Sequence, residues 1–239
     1  MKRNYAALSS QFDDVLSTIP HYALYPEMMV AVGSHYAGPH GRILVLGESH
    51  YLDKPEDSNH PERWYEHREF KLGKSAVNIN TRNVFNNAIL GRFPSKSKAI
   101  FHSLAAALAD SGIGPYPMRS PLQSIAYMNF FQRPAERAKL SIKVRPRDVS
   151  EAGRVLVDVT AALQPQLIVF ASRLGWRHAK ESGLLMQLET AGVRTVGVPH
   201  PATSWWNRAS GPMQGRTGRQ RFIEAVLAMK ERAALEAAL

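Results

Sequence analysis

Four residues able to carry acid–base or hydrogen-bonding chemistry each follow a short apolar run of the chain. Glu48 and His50 come after the first run, Asn129 after the second and His200 after the last. A carboxylate and an imidazole brought together can donate, accept or orient protons near neutral pH. A carboxamide presents both a hydrogen-bond donor and an acceptor to a ligand. These residue types therefore predict a site that combines proton transfer with recognition of a polar ligand.

The apolar runs that precede these residues have the character of buried strands. Their apolar residues are continuous rather than alternating, which is typical of parallel sheets covered on both faces. The runs are Ile43–Leu46, Ile125–Met128, Leu167–Phe170 and Val193–Val198. In open α/β sheets, ligands bind beyond the carboxyl ends of the strands. Such a sheet would bring all four polar residues to one edge.

Helical patterns lie between and beside these strands. One begins with the capping-box variant Asp148–Glu151 and ends before Pro165, and another begins with the capping box Thr217–Gln220. Further helices are predicted over 96–109, 5–16 and 24–32. The alternation of strands and helices predicts an α/β layered fold with a mostly parallel central sheet of four strands.

The chain of 239 residues has the length expected of one domain, and we predict a single domain over 1–239. The connection between the first two strands is too long for one crossover. Its first part, 51–80, is polar and irregular, and we predict an insertion there. Loops this long in a compact domain are usually functional or contain structure of their own.

The chain is strongly basic, with a formal net charge of +10, and arginine outnumbers lysine 20 to 10. Arginine suits the planar recognition of phosphate and carboxylate groups. The basic residues form two clusters, one over 133–147 and one near the C-terminus that includes Arg208 and Arg221. A solvated surface would explain such clusters, but two of them beside candidate site loops favour a polyanionic partner.

The chain contains no cysteine, which excludes a cysteine nucleophile, a cysteine-ligated zinc site and an iron–sulfur cluster. We predict no metal and no other cofactor. The first residues lack the apolar stretch of a signal peptide, and no apolar run approaches the roughly 20 residues that span a bilayer. The sequence therefore predicts a cytoplasmic protein without a membrane partner.

The ordered set of motifs resembles the uracil-DNA glycosylase superfamily. Its members end their first strand in Gly-Gln-Asp-Pro-Tyr, Gly-Glu-Ala-Pro-Gly or a similar stretch, and here the stretch is Gly47–Tyr51. Their second strand ends in an Asn, matched by Asn129, and their fourth ends in His-Pro-Ser, matched by 200–202. The resemblance covers 40–52 and 120–235. It implies a three-layer α/β/α sandwich whose four strands lie in the order second, first, third, fourth.

The resemblance also implies a reaction, the hydrolysis of the N-glycosidic bond of a flipped damaged base in DNA, and a role for each matching residue. His200 would donate a hydrogen bond to the base oxygen, Glu48 would act on water or the sugar, and Asn129 would read the base edge. His50, which replaces the motif proline, is a further candidate for catalysis. The base-binding set is completed by Tyr51 or Phe70, either of which would stack on the base, and by Ser49.

Contacts with the DNA backbone and duplex are implied for a second group of residues. The loop after the histidine pushes an apolar wedge into the duplex in this family, and Trp205 and Trp206, followed by Arg208, resemble that wedge. Alternatively, both tryptophans pack under the C-terminal helix, because tryptophan is more often buried than exposed. Arg133 and Arg145 match a basic, proline-containing stretch after the second strand.

Two other functions remain open from the sequence. Ser49 stands where some family members carry a catalytic Asp, which favours a catalytically silent nucleic-acid-binding module of the same fold. Gly47-Glu48-Ser49 also echoes the nucleophile motif of SGNH ester hydrolases, with Ser49 as nucleophile. Those enzymes carry an Asp three residues before a late His, and here that position is Gly197.

Overall fold

A computed structural model describes residues 5–51, 61–66, 79–93, 99–114, 117–136 and 140–237. In this part of the chain the first four helices are α1 (Asp13–Ser17), α2 (Pro20–Leu24), α3 (Pro61–Glu66) and α4 (Thr81–Ile89). They are followed by α5 (Ala99–Asp110), α6 (Pro146–Leu163), α7 (Arg173–Glu181), α8 (Leu184–Thr190) and α9 (Gly218–Ala237). The strands are β1 (Ala31–Val32), β2 (Ile43–Gly47), β3 (His50–Tyr51), β4 (Ile125–Asn129), β5 (Pro134–Ala135), β6 (Leu167–Phe170) and β7 (Arg194–Gly197).

The central sheet is mixed and has five strands in the order β1-β4-β2-β6-β7. Strands β4, β2, β6 and β7 are mutually parallel, and each corresponds to one of the predicted apolar runs. The expectation of four strands missed β1, which pairs antiparallel with β4 at the edge. The register places Gly47 of β2 opposite Asn129 of β4, so the polar residues that follow both strands emerge side by side.

Helices cover both faces of the sheet because alternate strand residues point to opposite sides. On one face Leu44, Met128 and Phe170 pack with α6 residues such as Val155. On the other face the strand residues include Val45 and pack with residues of α4, α5 and α9. The fold is therefore α/β with helical layers on both sides of a buried sheet.

Two of the helices predicted near the N-terminus are wrong over most of their length. The helix expected over 24–32 ends at Leu24, because Pro26 disfavours helical backbone at the preceding residue, and Ala31–Val32 becomes strand β1. The helix expected over 5–16 is reduced to Asp13–Ser17. Before it, the Ser9 backbone N–H donates to the Val32 carbonyl at 2.8 Å and Leu8 forms an antiparallel bridge with Gly33, so pairing at the sheet edge keeps Leu8 and Ser9 out of a helix.

The helix predicted from Asp148 begins two residues earlier, at Pro146. Asp148 lies in the first turn, where its carboxylate accepts a hydrogen bond from the backbone N–H of Arg145 at 2.9 Å. The capping box of α9 is confirmed, because the Thr217 and Gln220 side chains each accept a hydrogen bond from the other's backbone N–H. Helices α4, α7 and α8 were not predicted.

The predicted irregular insertion, 51–80, contains a helix in its described part. Trp64 of α3 is fully buried and stacks on Tyr25 with ring centroids 4.3 Å apart. Its indole N–H donates to the Gln132 carbonyl at 2.8 Å. Strand β3 pairs in parallel with β5 in a separate two-stranded sheet. These contacts anchor the start of the insertion to the segment that follows β4.

Candidate active site

A cleft of about 940 Å³ opens at the carboxyl ends of the parallel strands. Its volume lies within the range of pockets that hold small ligands. Most of the predicted site residues line it: Glu48, Ser49, His50, Tyr51, Asn129, His200 and Trp205. The parallel strands thus bring together side chains that lie up to 157 residues apart in the sequence, as the sheet-edge argument predicted.

Glu48 is fixed by Ser172, which follows the third predicted strand and had no predicted role. Its Oε2 accepts a hydrogen bond from the Ser172 hydroxyl at 3.0 Å. The Ser172 oxygen in turn accepts the backbone N–H of Gly175 at 3.1 Å, so Ser172 is the N-cap of α7. Because the single hydroxyl proton is directed at the carboxylate, this contact favours Glu48 as an acceptor at the cleft wall.

His200 is held in one tautomer by its own loop. Its Nδ1 accepts a hydrogen bond from the backbone N–H of Ala202 at 3.1 Å, which leaves the proton on Nε2. Burial lowers the pKa of His200 below its ordinary value of 6.5, and the charge of Glu48 opposes this shift. At neutral pH the imidazole is therefore neutral and carries an Nε2–H donor. Glu48 and His200 are close enough to interact electrostatically.

Asn129 is oriented by Tyr127, two residues earlier on β4. The Tyr127 hydroxyl donates to Asn129 Oδ1 at 3.2 Å, which assigns the amide nitrogen to the remaining side. Burial raises the pKa of Tyr127, so the phenol stays protonated and remains a donor. A Cβ at Gly47 would lie 2.3 Å from both Asn129 Oδ1 and the Tyr127 hydroxyl. Glycine is therefore required at this position of β2 for the amide to face the cleft.

His50 is buried at the cleft wall and is tied to helix α4. Its Nε2 lies 3.1 Å from the Thr81 hydroxyl, and the same hydroxyl donates to the Met28 carbonyl at 3.3 Å. With its one proton used in that way, Thr81 accepts from His50, which places a proton on Nε2. This anchoring makes His50 a part of the cleft wall that orients β3.

Ser49 and Tyr51 flank His50 and also face the cleft. Ser49 is half-buried and makes no hydrogen bond to any other described residue, so the structure supplies no base to activate it. Tyr51 is half-buried and packs against the core beneath α6. It therefore offers a fixed aromatic side chain in the cleft, whereas Phe70, the other predicted stacking residue, lies outside the described residues.

Arg133, expected to contact DNA, is wholly buried and cannot reach a phosphate. Its Nε donates to Asp148 Oδ1 at 2.7 Å and its Nη2 to Asp148 Oδ2 at 2.9 Å. Glu136 and the Lys143 carbonyl also accept from Nη2, and the Pro134 carbonyl accepts from Nη1. Arg145 is exposed at the N-cap of α6 and does not line the cleft.

The two adjacent tryptophans have different environments. Trp206 is 1% exposed and packs on Phe222 of α9, so it belongs to the core and cannot act as a wedge. Trp205 is 48% exposed and lines the cleft. Arg208 is exposed beyond them but is absent from the cleft wall. The predicted wedge is thus reduced to a single indole.

Arg173 directly follows the third predicted strand, at the sheet edge where the sequence places site residues, although the sequence assigned it no role. It is exposed at the first position of α7 and makes no hydrogen bond or ion pair with the described residues. Its cation therefore stands at the cleft beside the positive end of a helix dipole. The available signal was the position of Ser172 and Arg173 directly after the apolar run Leu167–Phe170, because ligands bind beyond the carboxyl ends of such strands.

No group of three or more His, Asp or Glu side chains in the described ranges could hold a metal ion. Within the same ranges, no helix has the length and apolar character required to cross a membrane.

No known family model matches the chain, and no curated protein matches it significantly in sequence.

Proposed function

We propose that this protein is a DNA glycosylase that hydrolyses the N-glycosidic bond of uracil or another damaged base. The observation that carries the proposal is the pairing of two groups in one cleft. His200 supplies a neutral imidazole with an Nε2–H donor, and Glu48 supplies a carboxylate held by Ser172. These are the two electrostatic functions that base release requires.

The charges that develop during the reaction match these groups. As the bond from C1′ to the base nitrogen breaks, its electron pair moves to the base, whose carbonyl oxygen becomes negative, and the sugar becomes cationic. The neutral His200 donates a hydrogen bond from Nε2–H to this oxygen and stabilises its negative charge without transferring the proton. Glu48 stabilises the cation and orients a water molecule. The water oxygen bonds to C1′ while Glu48 takes the proton that the water loses and later returns it to solvent, and the base anion takes up one proton from solvent.

Recognition of the base is assigned to Asn129. The hydrogen bond from Tyr127 leaves the Asn129 amide nitrogen available to donate to a carbonyl oxygen. The second lone pair of its Oδ1 is available to a ring N–H. Adjacent carbonyl and N–H groups occur on the pairing edge of uracil. Tyr51 supports the same assignment because it gives the cleft an aromatic side chain for stacking.

The arrangement of the sheet agrees with the resemblance to the uracil-DNA glycosylase superfamily. The neighbouring parallel strands β4, β2, β6 and β7 support the proposal, with β1 as a fifth strand at the edge. The exposed Arg173 favours a partner with phosphates. By contrast, the ester-hydrolase alternative lacks a hydrogen-bonded base for Ser49 among the described residues.

Single-turnover assays on labelled oligonucleotides test the proposal. Substrates carrying uracil, hypoxanthine or mismatched thymine are incubated with the protein, and abasic sites are then cleaved. We expect base release from at least one substrate, slowed about 10²–10³-fold by His200→Ala and about 10²–10⁴-fold by Glu48→Gln. Binding to an abasic-site duplex should be nearly unchanged in both variants.

Arg92→Gln serves as a control, because Arg92 is exposed and does not line the cleft. Base release by both site variants at the parent rate would refute the catalytic assignment. An absence of base release from every substrate, with DNA binding retained, would leave a catalytically silent nucleic-acid-binding module in its place.

A further inference from the structure

A second groove of about 510 Å³ adjoins the cleft and plays no part in the reaction derived above. Trp205 and Arg173 line both cavities, so they form the ridge between them. The groove runs from this ridge between α7 and the start of α9. Its volume falls in the range that accommodates a ligand of nucleotide size.

The groove combines aromatic surface with positive charge. Trp176 forms part of its wall and is held in place by the sheet, because its ring packs on Phe170 at 5.5 Å. A Cβ at Gly197 would lie 2.4 Å from the same ring, so the indole fills the space that a side chain there would occupy. Trp205, at the ridge, exposes 48% of its surface.

Three arginine side chains line the groove, and no acidic residue does in the described part of the chain. Arg173 and Arg221 make no side-chain hydrogen bond or ion pair with the described residues. Arg177 has one carboxylate partner, Glu181 at 3.9 Å, and both side chains are 59% exposed. Exposed pairs of this kind contribute little, so all three cations remain available to an anion.

We propose that this groove binds single-stranded DNA next to the nucleotide whose base occupies the cleft. Single strands are bound by grooves in which cations follow the phosphates and aromatic side chains stack on the bases. In a duplex the base faces are covered by their neighbours and cannot reach an indole. The proposal rests on the proposed function, since the cleft must hold a base for the groove to hold its neighbour. It assigns the protein a preference for single-stranded DNA.

The test measures equilibrium binding of undamaged single-stranded and duplex oligonucleotides of one sequence. Fluorescence anisotropy reports the binding at several salt concentrations. The parent should bind the single strand more tightly. Trp205→Ala should weaken single-strand binding about five- to 150-fold, the range for loss of one base–aromatic stack. Trp205→Phe keeps an aromatic face and should retain most of the affinity.

The charge contribution is tested separately through the salt dependence. Arg221→Gln should lower the log–log salt slope by about 0.7, the value for one phosphate contact on a single strand. Arg92→Gln removes the same charge outside the groove and should leave both slope and affinity nearly unchanged. Thermal unfolding of each variant verifies that it is folded.

Tighter binding to the duplex, or equal effects of Arg221→Gln and Arg92→Gln, would overturn the proposal. So would parent-like single-strand affinity in folded Trp205→Ala. These measurements use undamaged DNA and do not depend on base release. A protein that releases no base but shows this binding pattern therefore refutes the glycosylase proposal and supports the groove. A protein that releases a base but lacks this binding pattern supports the glycosylase proposal and refutes the groove.

Discussion

Replacing Ser172 with alanine removes two hydrogen bonds that one hydroxyl makes at the start of α7. The oxygen caps the helix by accepting from the Gly175 backbone N–H at 3.1 Å, and the hydrogen is donated to Glu48 Oε2 at 3.0 Å. Ser172 is 1% exposed, so water does not replace these contacts without rearrangement. The substitution therefore perturbs both the stability of the fold and the position of a proposed catalytic group.

The two losses have separate magnitudes. An N-cap serine contributes typically about 1 kcal/mol to the free energy of unfolding. A hydrogen bond to a charged group contributes about 1.5–3 kcal/mol, and the lower end applies because Glu48 is half-buried and partly solvated. We expect Ser172→Ala to lower the free energy of unfolding by about 2–3 kcal/mol. A carboxylate displaced by about 1 Å would also lower kcat by up to about 10²-fold.

Urea denaturation and steady-state kinetics of base release measure the two effects. Ser182→Ala is a matched control, because its hydroxyl donates to the Ala179 carbonyl at the other end of the same helix and makes no contact with Glu48. Ser172→Thr keeps the hydroxyl and should restore kcat in the molecules that fold. KM should change little in all three variants, since Ser172 acts through Glu48.

The reasoning is refuted if the free energy of unfolding of Ser172→Ala lies within about 0.5 kcal/mol of the parent value, which is the range of ordinary surface substitutions. A stability loss without a fall in kcat, or a fall in kcat that Ser172→Thr does not reverse, would leave Ser172 as a helix cap alone.

Three further changes have defined outcomes. Tyr127→Phe removes the donor that orients Asn129. If that hydrogen bond contributes about 1 kcal/mol, the ratio of the reversed to the observed amide orientation rises about fivefold. Release of a mismatched base should rise by that factor in competition assays, whereas unchanged selectivity would contradict the assignment. Burial lowers the pKa of His21 to about 3, so the unfolded chain binds this proton below pH 6.5 and the native state does not. Between pH 7 and pH 4.5 the parent should lose roughly 2–3 kcal/mol more stability than His21→Phe in urea titrations. Parallel losses would refute the assignment. Arg133→Met leaves the buried carboxylate of Asp148 without its cation and should cost about 3–5 kcal/mol in the same measurement, while a parent-like midpoint would disprove the structural role of the pair.

The strands and the edge that carries the site follow from the sequence because their cause is local. A continuous apolar run such as Ile43–Leu46 is typical of a strand that is covered on both faces, as in a parallel sheet between helical layers. The residues that follow such runs then meet at one edge. This geometry places Glu48, Asn129 and His200 together from the sequence alone. The capping box of α9 was equally predictable, since both of its residues lie within one helical turn.

Tertiary structure decided which side chains act on one another. Ser172 meets Glu48 across 124 residues of sequence, and no local pattern specifies such a pair. The same holds for Arg133, whose basic surroundings suggested a phosphate but which packing buried against Asp148. Trp205 and Trp206 are identical and adjacent, and the short 3-10 helix Ser204–Trp206 turns only the second toward the core. The sequence determines which chemical groups are available to a site. The distances between those groups are set only by tertiary packing.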